Sequence, residues 1–199
     1  MNRQYLKKSA LPSAQSPLQP LEEVSNAAER FKGLVKTNSA AKQDAEHFLT
    51  ISQQYLRSLA RPQAEQQCRE HDSGGLVLDW LWSHVPPTRL QSLVDRTFAD
   101  LLCRHLVLEG RELYLWQWTK IAAKQANAVD GAMPRWGKMI EWTDDLMAGL
   151  AQAHLALATD AKPGAALQCL FKAKRLFMDD AKLFNTVTLM KMRLASTDI

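Results

Sequence analysis

Residues 112–120, ELYLWQWTK, set two tryptophans two positions apart, and residues 79–87, DWLWSHVPP, repeat the device upstream. On an α-helix each residue turns by about 100°, so side chains two apart diverge by about 200°. Trp80 and Trp82 therefore point to different sides of their helix, and so do Trp116 and Trp118. A helix with large aromatics on two sides belongs between neighbours rather than on a surface. The tryptophans are thus predicted to pack a core, not to form a stacking platform for a ligand or a base.

Outward from these segments the apolar spacing stays helical and never alternates as a strand would. Leu21, Val24, Ala28, Phe31, Leu34 and Val35 form one stripe. A second helix is expected over residues 39–60 on Phe48, Ile51, Tyr55, Leu56 and Leu59, ended by Arg61-Pro62. The polar stretch 62–73 fits either a short exposed helix or a loop, with Gly74-Gly75 giving the chain freedom to reverse. Leu76 to Val85 reads as a compact helix closed by Pro86-Pro87. Thr88 is then a credible N-cap for one long helix through Leu90, Leu93, Val94, Phe98, Leu101, Leu102 and His105 or Leu106, interrupted at Glu109-Gly110. Further helices are expected over 111–127, from Pro134 through Leu157, over 164–178, and over Leu183, Val187, Met190 and Leu194. The fold class is all-α, about eight helices in antiparallel pairs, arranged either as an α-solenoid-like array or as an irregular helical bundle.

The chain has 199 residues, 46% apolar and 23% charged, enough to bury a substantial core. Residues 21–199 read as one helical domain, with a repeat-like part over 134–199. Residues 1–20 read as a disordered arm. That arm has no acidic residue and carries Arg3, Lys7 and Lys8, a composition shared with mitochondrial targeting segments. Three widely spaced cysteines, Cys68, Cys103 and Cys169, argue against a disulfide framework and for a reducing compartment, cytoplasm or mitochondrial matrix. The apolar run from Leu146 to Leu157 falls short of the ~20 residues that span a bilayer.

Over residues 147–178, Leu150, Ala153 and Leu157 on one helix precede Ala166, Leu170 and Ala173 on the next. This run resembles the helix pair of tetratricopeptide repeats, and its length is similar to that of pentatricopeptide-type repeats. The resemblance implies helix pairs that bind another protein in the first case and single-stranded RNA in the second. His154 and Met178 depart from the tetratricopeptide pattern, which has a small residue and a closing proline there.

No spacing points to catalysis, a cofactor or a metal. Cys68-x2-His71 could be joined by Cys103-x-His105 and His84 around zinc, but Cys103 and His105 would point to different sides of one helix. Asp144-Asp145 and Asp179-Asp180 are sequence neighbours that diverge by about 100°, so neither pair makes one acid–base site. Lys172, Lys174, Arg175 and Lys182 give the C-terminal helices a cationic bias and are the candidate contacts to an acidic partner or to phosphate. Net charge is +4 and pI about 9.0, well short of a dedicated nucleic-acid binder. The expected function is a non-catalytic helical module that binds another protein, with helical-repeat RNA binding as the alternative.

Overall fold

The computed structural model describes residues 18–128, 141–157 and 164–176, and the elements among them are all α-helices. They are α1 (Leu18–Lys36), α2 (Lys42–Arg57), α3 (Arg61–His71), α4 (Ser73–His84), α5 (Pro87–Leu93), α6 (Arg96–Glu109), α7 (Glu112–Ala128), α8 (Glu141–Ala156) and α9 (Gly164–Leu176). Residues 1–17 of the expected arm, the helix start at Pro134 and the last helix over Leu183 to Leu194 lie outside the described residues, whereas residues 18–20, expected in the arm, form the first turn of α1.

Helix α6 is the axis of the fold. It packs against α2, α3, α4, α7 and α8, whereas in a stacked solenoid each unit meets only its neighbours. Of the two arrangements that the periodicity left open, the described residues form the irregular bundle. Phe98, Leu102, Leu106, Ala99 and Cys103 are fully buried along α6, and each large side chain removed from water there contributes about 1.5–3 kcal/mol. One contiguous apolar core runs from Phe31 on α1 through Phe48, Trp80, Leu102 and Trp116 to Leu150 and Cys169. Phe31 stacks on Phe48 with ring centroids 5.6 Å apart and meets the edge of Trp80 at 5.9 Å.

The tightest crossing is between α6 and α8. A methyl group at Gly149 would sit 2.9 Å from the backbone carbonyl of Ala99, so only glycine permits this approach. Ala148, Ala151 and Ala153 are buried beside it, and the Cys103 thiol donates to the Leu146 carbonyl at 3.4 Å. Helix α9 packs on α8.

One open alternative is decided and two local expectations change. The polar stretch after Pro62 is helix α3, with Pro62 in its first turn and Ala64 and Cys68 buried one turn apart. Gly74-Gly75 do not make the reversal. Asp72 makes it, in the left-handed region at φ 51°, and both glycines fall inside the first turn of α4. The long helix expected from an N-cap at Thr88 is two helices, the first starting at Pro87 with Pro86, not Thr88, at its N-cap. Asp95 interrupts it, taking an extended backbone while its Oδ1 accepts the Phe98 N–H at 2.9 Å, and Lys42 of α2 pairs with the same carboxylate. An N-cap aspartate offers the backbone an alternative to continuing a helix, and here a cation holds it in place. Gly110, at φ 72°, closes α6 as a left-handed C-cap.

Candidate functional site

Two features stand out along α4. The first is a cleft of about 320 Å³ between α4 and α7, lined by Gly75, Leu78, Asp79, Trp82, Arg111, Tyr114 and Gln117. The second is a buried cluster of polar side chains under the first turn of α4.

The aromatic helices do not behave alike. Trp116 and Trp118 are both buried, as the 200° divergence predicts, and Trp80 is buried too. Trp82 is 51% exposed, which corrects the expectation that both faces of α4 are covered. Its ring meets Trp118 at 6.3 Å and a 45° tilt, leaving its other face to the cleft. Tyr114 across the cleft is 57% exposed, with Leu113 and Ile121 exposed along the same helix. One turn of α7 separates Tyr114 from Gln117, and a second separates Gln117 from Ile121, so they share a face by helical spacing. Arg111 at the cleft margin is bonded to Asp72 at 2.7 Å.

The buried cluster is built from α3, α4 and α6. Glu109, in the last turn of α6, is buried, and its Oε1 and Oε2 accept the backbone N–H groups of Gly74 and Gly75 at 2.7 and 3.0 Å. It thereby satisfies two of the N–H groups that the start of a helix leaves without partners. The glycines are explained by this approach. A methyl at Gly74 would lie 2.9 Å from Glu109 Oε2 and 3.0 Å from His105 Cβ, and one at Gly75 would lie 2.2 Å from Asp72 Oδ1. Beside them the Ser52 and Ser73 hydroxyls share a hydrogen bond at 3.0 Å.

Cys68 of α3 sits against this carboxylate, its Sγ 3.7 Å from Glu109 Oε1 and 3.8 Å from His105 Nδ1. His105 Nε2 is 3.0 Å from the Leu49 carbonyl, which can only accept, so Nε2 carries the proton and Nδ1 presents a lone pair to the thiol. Burial holds the His105 pKa down to about 4, and the Leu49 carbonyl opposes this only in part, so the ring is neutral at pH 7. Burial raises the Glu109 pKa to about 7, opposed by the Gly74 and Gly75 N–H groups, and burial with the nearby Glu109 pushes the Cys68 thiol far up.

Of the sequence candidates, Cys68 and His105 come together, although spacing paired Cys68 with His71 and Cys103 with His105. His71 instead meets the ring of Tyr55 edge-on, Cys103 faces α8, and His84 is exposed. The expected divergence of Cys103 and His105 holds. Glu109 was not anticipated as a partner, although its place four residues after His105 on a buried stripe was visible. Lys172 is exposed, with Nζ 4.3 Å over the Trp116 ring. The side chains of Lys174 and Arg175, and Lys182 altogether, lie outside the described residues. His154, the departure from the repeat pattern, pairs with Glu112 of α7 at 2.5 Å.

Set against known proteins, the chain matches no family model, no curated protein and no solved structure. Among the described residues no helix is long and apolar enough to cross a membrane.

Proposed function

We propose that the protein is a non-catalytic interaction module that binds another polypeptide at the α4–α7 cleft. The observation that carries this reading is the exposure of Trp82 and Tyr114 on facing walls of one cleft. Tryptophan, tyrosine and arginine are the residues in which protein interfaces concentrate their binding energy, and all three line it. Its polar complement is balanced, with the carboxylate of Asp79 and the guanidinium of Arg111, the latter already paired with Asp72. A track for RNA needs unpaired cations alongside its stacking rings, so the cleft favours a peptide with an apolar anchor. RNA binding through Lys172 and its neighbours on α9 is the alternative that the same experiment addresses.

The test is affinity capture of the full chain from its native cells, beside the double variant Trp82→Ala/Tyr114→Ala and the control Phe171→Ala, whose side chain is exposed on α9. A stoichiometric protein partner held by wild type and control, and reduced at least about tenfold by the double variant, is the expected result. Equal recovery on all three removes the cleft from consideration. RNA crosslinked to wild type and lost in Lys172→Glu would replace this reading with the RNA-binding one.

A further inference from the structure

We propose that Cys68, His105 and Glu109 form a site for a divalent transition-metal ion of the zinc type, supplying three of its ligands. The inference is independent of the cleft and of what binds there.

Three potential ligand atoms, Cys68 Sγ, His105 Nδ1 and one Glu109 oxygen, lie within 4.8 Å of one another, all on buried residues. Zinc bonds of about 2.3 Å to sulfur and about 2.0–2.2 Å to nitrogen or oxygen, at tetrahedral angles, place the sulfur about 3.6 Å from each of the other ligands. The observed separations from Sγ are 3.8 Å to Nδ1 and 3.7 Å to Oε1. Hydrogen bonding alone does not call for this convergence, because a thiol has one weak proton to donate to either neighbour.

The surroundings are those that orient metal ligands. A ligating histidine typically gives its second ring N–H to a carbonyl or carboxylate, and His105 gives Nε2–H to Leu49. A ligating carboxylate is held by hydrogen bonds of its own, and the Gly74 and Gly75 amides hold Glu109 while each oxygen keeps a lone pair for an ion. Gly74 is required for both ligands to stand where they do, since a methyl there would meet Glu109 and His105 together. His105 and Glu109 are one turn apart on α6, and Cys68 is on α3, so the set is mounted on packed helices rather than on loops.

Charge and ligand type select the ion. Binding exchanges the thiol proton of Cys68, released to solvent, for the ion, so that one thiolate, one carboxylate and a neutral imidazole face a 2+ charge. The sum is zero, which is what an interior of low polarity favours. Sulfur and imidazole ligands suit zinc and its neighbours, whereas magnesium and calcium take oxygen. A second cleft, about 360 Å³, has Leu56, Ala64, Arg104, His105 and Leu108 in its lining, so the His105 edge of the cluster lies beneath it. Cys68 and His105 are each 1% exposed, so an ion held between them would be shielded from bulk solvent. The ion would clamp α3 to α6 and, through Glu109, to the first turn of α4.

The test uses the full chain stripped with chelator and titrated with cobalt(II), then zinc(II). One cobalt per chain, with an intense thiolate-to-metal charge-transfer band that zinc abolishes, is the expected result. Cys68→Ser should lose the band and Glu109→Gln should weaken binding by at least about tenfold, both read in samples whose circular dichroism matches wild type. Because a core variant can fail to fold, zinc-edge X-ray absorption of the wild-type protein gives a measurement free of mutations. One sulfur with two or three nitrogen or oxygen neighbours supports the site. Two or more sulfurs, none, or no cobalt retained at one equivalent overturns it.

Discussion

Helices α4 and α7 carry the same Trp-x-Trp spacing, yet α7 buries both of its tryptophans and α4 buries only one. Trp118 reaches the core and Trp82 rests on it from outside, with their rings 6.3 Å apart. Helical geometry separates the two side chains of each pair, but the number of neighbours decides whether the second face is covered. The two ends of α4 differ in the same way. Its first turn is buried under Glu109 and Asp72, and its last turn carries Trp82 into the cleft. One short helix thus has a fixed end and an open one.

This contrast predicts a graded series, read by urea denaturation with matched variants. Trp118→Ala should cost the most, about 3–5 kcal/mol, as for other buried large-to-small aromatic changes; a loss below ~1 kcal/mol would mean that the Trp118 environment is not the packed core described. Gly74→Ala should follow at about 1–3 kcal/mol, because the added methyl meets the Leu106 backbone at 3.1 Å and the His105 Cβ at 3.0 Å, neither of which can swing aside. Gly33→Ala sharpens the point. It lies within α1 with nothing inside 4 Å of a new methyl, so the same chemical change should there stabilise by about 0.4–1 kcal/mol. Trp82→Ala should change stability least, by about 0.5 kcal/mol or less. Its effect belongs to partner capture, and a large stability loss would place Trp82 in the core instead.

What was legible in the sequence follows the range of the forces involved. The helices and their stripes are local periodicities, and Val24, Ala28 and Phe31, or Phe98, Leu102 and Leu106, are buried as their spacing predicts. The break at Asp95 was hidden because the apolar stripe runs on through it, and the cap there is held by Lys42, a contact from another helix. Gly74-Gly75 suggests a turn from composition alone. Its actual cause is the approach of Glu109, thirty-five positions away along the chain. The cluster of Cys68, His105 and Glu109 needs α3 laid across α6, and no spacing rule relates those helices. Only the acid at a buried register of α6 hinted at it.

The central place of α6 also bears on how the chain is made. Its partners α2, α3 and α4 precede it in synthesis, whereas α8, which meets it at Ala99 and Gly149, comes later. A nascent chain that has emerged only as far as α7 therefore holds a half-covered α6, with Ala99 and Cys103 facing water. Protein at that stage is prone to aggregate through the bare face until α8 arrives, and a truncation removing α8 would freeze the chain in that state.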